Sequence, residues 1–109
     1  MLKLFEVAVE VDAAGHADVH FSRATVYLAI WAANAVEAER LARADLAGSG
    51  YVALAAPARV LELDSFGWDA YLQSRWTGLS ERLPGQFEVI AASTQTDAPP
   101  IQISFYPHA

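Results

Sequence analysis

The segment from Val26 to Leu63 constrains the fold most, because it reads as strand, helix and strand with punctuation at both joints. Val26, Leu28, Ile30 and Trp31 close a long apolar run, and Asn34 and Glu37 then stand in the N-x-x-E spacing of a helix capping box. Gly48, Ser49 and Gly50 supply the stop. Between these signals the spacing predicts a helix over roughly Ala35 to Ala47. At about 100° per residue, Ala35, Ala38, Leu41, Ala42 and Leu46 share one face, and Glu37, Glu39, Arg40 and Arg43 occupy the rest. A face made largely of alanine lets a helix approach a sheet closely. Asp45 lies inside that face near the helix C-terminus, where the dipole disfavours an acid; a partner cation such as Arg75 or Arg59, or fraying of the helix end, would account for it.

Upstream, Phe5, Val7, Val9 and Val11 alternate with Glu6, Ala8, Glu10 and Asp12, the period of a strand with one buried face. Asp12 to Ala17 carries turn chemistry around Gly15, and Val19 and Phe21 resume the alternation, which predicts a hairpin. The apolar parity then switches to Val26, Leu28 and Ile30 while Tyr27 and Trp31 fill the other face. A bulge near Ser22 to Thr25, or burial of both faces, would produce that switch.

Downstream, a third strand is most secure over Arg59 to Leu63, with Pro57 at an edge, bulge or break. Asp64 or Ser65 can cap a second helix running to about Leu79, ended by Gly78, Pro84 and Gly85. Phe87, Val89 and Ala91 read as a fourth strand, and Ile101, Ile103 and Phe105 as a fifth, joined through Thr94 to Pro100. The expected fold is one α+β domain over residues 1–109: a single-layer, mostly antiparallel five-stranded sheet with two helices on one face, in the order ββαβαββ.

Composition narrows the function classes. The chain has 13 acids against 7 Lys and Arg, a net charge of −6, which opposes a nucleic-acid partner because phosphate neutralisation needs clustered cations. An acidic exterior suits a basic surface on another protein. The hydrophobic fraction of 54% and charged fraction of 18% leave less polar surface than a lone monomer usually shows, which suggests a protein partner or a homodimer, although abundant alanine inflates the first figure. With no cysteine, disulfides, thiolate catalysis and cysteine-ligated zinc are excluded. Glu6 interrupts the N-terminus before a secretory h-region can build, and Ala24 to Ala33 is too short to span a bilayer, so a cytoplasmic location is expected.

Few constellations suggest chemistry. His16 and His20 have helical metal-ligand spacing, but in a hairpin their rings would lie about 13 Å apart. Pairing the hairpin about Ala14 would place Glu10 opposite Asp18 and Ala8 opposite His20, gathering two carboxylates and an imidazole on one surface. Such a group performs acid-base work only in a pocket that shifts its pKa values, and otherwise forms a solvated polar face. No G-x-S-x-G elbow occurs, and the Gly48 to Gly50 loop ends a helix where a phosphate cradle would open one. In the second predicted helix Trp68, Tyr71, Leu72, Trp76 and Leu79 fall within one arc that also contains Arg75. These are residue types enriched at protein interfaces; packed inward, they are core with the arginine reaching along them to water.

The stretch Trp31 to Leu46 (W-A-A-N-A-V-E-A-E-R-L-A-R-A-D-L) resembles the helix following the sheet in small antitoxins of the HicB type, and no site residue is carried over from it. The leading expectation is a small acidic, non-catalytic domain without metal or cofactor that neutralises a basic partner protein, as immunity proteins, antitoxins and phage inhibitors do. Its expected partner-binding residues are Trp68, Tyr71, Arg75, Trp76, Glu10, Asp18 and His20. A homodimeric domain binding a small ligand in an aromatic pocket is the second reading, and an enzyme using Glu10, Asp18 and His20 the third.

Overall fold

The structure, a computed structural model, describes residues 2–12, 23–55, 57–94 and 98–108. Their order is β1 (Lys3–Asp12), β2 (Arg23–Ala32), α1 (Ala35–Gly48), β3 (Val52–Ala53), β4 (Arg59–Leu63), a 3₁₀ turn (Ser65–Gly67), α2 (Trp68–Arg75), a second 3₁₀ turn (Ser80–Arg82), α3 (Gln86–Ala92) and β5 (Ile101–His108). The α+β class and the antiparallel five-stranded sheet are as the sequence predicts. β1 is central, paired along its whole length with β2; β3 and β4 share its other edge, and β5 lies outside β2.

Every residue of β1 is matched, from Lys3 opposite Ala32 to Asp12 opposite Arg23. This register sets Phe5 beside Ile30, Val7 beside Leu28 and Val9 beside Val26 on one face, where Ala38, Ala42 and Leu46 of α1 complete a core. Leu4, Ala29 and Ile103 face the other way and form a second core with Trp68 and Leu72 of α2, Trp76 directly after it and Val89 of α3. β2 is largely buried on both faces, one of the two causes expected for the parity switch, and its pairing with β1 is unbroken from Arg23 to Ala32; Ser22, where the expected bulge begins, lies outside the described residues. The expected single helical face is corrected accordingly: α1 covers one side of the sheet, and α2 with α3 covers the other.

Local signals explain the elements. Asn34 Oδ1 accepts the Glu37 amide at 2.9 Å, and Glu37 Oε1 reaches back to the Ala33 amide at 3.4 Å, so both halves of the cap form at the start of α1. Asp45 is held at 3.0 Å by the Gln102 side-chain amide of β5, not by Arg75 or Arg59. Pro57 breaks the Tyr51 to Asp64 stretch into β3 and β4, because it cannot donate to the ladder. Asp64 Oδ1 caps the first 3₁₀ turn through the Phe66 amide.

Two further expectations are corrected. The second helix ends at Arg75 instead of Leu79, and Gly78 then turns the chain with a φ of 89°. The strand expected at Phe87, Val89 and Ala91 is α3. Only Val89 of the three is buried, so the alternation there marks no sheet face; Gly85 stands before the first turn and Glu88 lies within it, where the dipole favours an acid. β3 restores the count of five strands.

Candidate functional site

The helix-two aromatics are mostly core. Trp68 is 0% exposed, and its indole N–H donates to the Pro84 carbonyl at 2.9 Å, which leaves nothing for a partner to touch. Trp76 is buried as well, edge-on to Tyr27 with ring centroids 4.9 Å apart. Tyr71 and Arg75 converge on Glu6 of β1, which is only 5% exposed. Glu6 Oε1 accepts the Tyr71 hydroxyl at 2.6 Å and Arg75 Nε at 2.7 Å, while Tyr71 accepts the Trp76 indole N–H at 2.8 Å.

A carboxylate on a buried sheet face requires such partners, since an unpaired buried charge costs several kcal/mol. Burial, followed by the bond to Glu6, pushes the Tyr71 hydroxyl well above its ordinary pKa. The bond to Glu6 also raises the Arg75 guanidinium. Arg75 lies over the rings of Trp76 and Tyr27, with Cζ to centroid distances of 5.2 and 5.6 Å, and keeps 46% of its side chain in solvent. Glu6 carried no functional signal in the sequence, where it reads as the polar member of an alternating strand. The inward-facing Arg75 was the hint that an acid had to lie opposite.

Glu10 faces Thr25, and Ala8 faces Tyr27. The pairing about Ala14 that would set Glu10 against Asp18 and Ala8 against His20 is therefore not the one formed, which removes the geometric basis for an acid-imidazole group there. Asp18 and His20, with His16, lie outside the described residues. No group of three or more His, Cys, Asp or Glu among the described residues is placed to hold a metal ion. None of the described helices is long and apolar enough to cross a membrane.

The surface that sequence reasoning missed lies at the far side of the α2–α3 layer. Phe87 is 92% exposed on α3 and Phe66 74% exposed on the 3₁₀ turn, two elements that pack against each other. Asp64 and Asp69 flank the turn and Glu88 lies on α3, and neither 64–69 nor 86–92 contains a lysine or arginine. Lys3, which borders the adjoining groove with Phe66 and Asp64, pairs with Glu62 at 3.7 Å. Polar links hold this surface in place: Trp68 bonds to Pro84, Trp31 Nε1 donates to the Val89 carbonyl at 2.8 Å, and the Asp69 amide donates to Gln86 Oε1 at 3.4 Å. The two phenyl groups thus stand on a braced platform. Reading residues 86–92 as a strand hid Phe87, because a strand would have turned it onto a sheet face.

Comparison with protein-family models, with curated proteins and with solved structures gave no match.

Proposed function

We propose that this chain is a small acidic, non-catalytic binding domain that docks on a basic surface of another protein through Phe66 and Phe87 and so masks that surface. One observation carries the reading: two phenylalanines, 74% and 92% exposed, stand on packed elements within segments 64–69 and 86–92, whose charged residues are Asp64, Asp69 and Glu88. Large apolar side chains left in water on a braced framework are a cost to the free protein that docking recovers. Covering both rings removes on the order of 300 Å² of apolar surface, about 7 kcal/mol before the costs of association. Asp64, Asp69 and Glu88 would steer a cationic partner and form the polar rim, and the net charge of −6 acts in the same sense at longer range. Trp68 supports this surface from beneath through its bond to Pro84, and neither it nor the buried Trp76 takes a direct part.

The test is capture of partners from the native host, followed by titration of the purified pair over a salt series with wild type and F66S/F87S. A basic partner whose affinity falls with salt, and falls at least ~100-fold in the double variant, supports the proposal. A salt-insensitive complex, or one indifferent to the double substitution, overturns it.

A further inference from the structure

A second site lies away from Phe66 and Phe87, on the α2 side of the sheet. Ala8 sits in register between Tyr27 on β2 and Arg59 on β4, so a methyl group separates two long side chains and leaves space above it. The resulting pocket, about 190 Å³, is lined by Glu6, Ala8, Tyr27, Arg59, Leu61 and Arg75. That volume is below the drug-sized range and suits a metabolite of a few heavy atoms.

Its polar groups are complementary to both ends of a zwitterion. Arg75 spends Nε on Glu6 and makes no other hydrogen bond among the described residues, which leaves its two Nη groups as donors. Arg59 has no carboxylate partner among the described residues, and its one side-chain bond is a long 3.4 Å contact from Nη2 to the Tyr27 hydroxyl. Both bonds to Glu6 fall on Oε1, and Oε2, which accepts none among the described residues, is the part of this largely buried side chain that stays open to solvent. Oε2 is therefore an available acceptor at the pocket wall, one that an ammonium group can use in place of water. We propose that this pocket binds a small apolar α-amino acid. Arg59 and Arg75 take its carboxylate, Glu6 Oε2 takes its ammonium group, and its side chain rests on Ala8 and Leu61. Guanidinium groups match a carboxylate in shape and charge, and the Glu6 to Arg75 bond holds one of them ready.

Valine, isovalerate and isobutylamine separate the elements of the proposal, since the second lacks only the amine of valine and the third only its carboxylate. The Trp76 ring lies 5.2 Å from the Arg75 guanidinium carbon, so tryptophan emission reports occupancy. Valine should give a saturable change below ~10 mM, each truncated analogue should bind at least about tenfold more weakly, and R59Q should weaken valine by about tenfold or more. Arg59 is exposed on an edge strand, so R59Q is expected to fold normally, which its melting curve verifies. E6Q should narrow the gap between valine and isovalerate. Absence of saturation with valine, equal binding of isovalerate, or an R59Q variant that binds as wild type does would each overturn the proposal. Loss of partner binding in F66S/F87S leaves it untouched.

Discussion

Replacing Arg75 with methionine isolates what the buried acid costs the fold. Methionine keeps an apolar stem against Trp76 and Tyr27 but removes the charge, leaving Glu6 with the Tyr71 hydroxyl as its partner on Oε1. Stripping one partner from a fully buried pair costs about 3–5 kcal/mol, whereas an exposed pair is worth about 0–1 kcal/mol. This pair lies between those limits, because Glu6 is 5% exposed while 46% of the Arg75 side chain meets solvent that screens it. The expected loss is therefore about 2 kcal/mol, in the range of hydrogen bonds to charged groups, and corresponds to a fall in Tm of about 10 °C. Thermal unfolding followed by circular dichroism at neutral pH measures it. The double variant E6Q/R75M, which removes the charge and keeps an acceptor for Tyr71, should recover roughly 1 kcal/mol of that loss. If R75M melts within ~0.5 kcal/mol of wild type, the network is no stronger than a surface ion pair and the account of Glu6 is wrong.

F66S and F87S should each unfold in urea within about 0.5 kcal/mol of wild type, because the rings are already in water; a larger loss would mean that they belong to the core. Tyr71 should make stability fall at alkaline pH. Its folded-state pKa is raised, so above the ordinary value of 10.0 the unfolded chain releases the phenolic proton while the native chain keeps it, and the native state loses ground as pH rises. Y71F should flatten that decline in urea titrations above pH 10, and an unchanged slope would contradict the burial of the hydroxyl. N34A should cost about 1 kcal/mol through loss of the α1 cap, measured by the same urea midpoint.

The sequence conveyed the periodic and capped parts of the fold well. The β1 alternation, the Asn34 and Glu37 cap, the Gly48 to Gly50 stop and the break at Pro57 are local signals, and each element appears there, although β1 is buried on both faces where the alternation predicts one. Pairing register is not local. Turn residues around Gly15 suggested a tight hairpin, whereas the strands align with Glu10 opposite Thr25, a choice made by the two cores. The seven residues 86–92 contain too few turns for a helical period to outvote an accidental alternation. Of the helix-two arc, the inward pull on Arg75 was legible and its partner Glu6 was not, since an acid on an alternating strand normally faces water. The exposure of Phe66 and Phe87 follows from how the 3₁₀ turn meets α3, which no single segment encodes.

Hydrogen exchange of the purified complex with its partner is the most direct test of the proposed docking surface. Amides in 64–69 and 86–92 should slow on binding while those of β4 and β5 keep their rates. Protection concentrated on β4 or β5, with residues 64–69 and 86–92 unchanged, would show that the exposed phenylalanines are not where the partner sits.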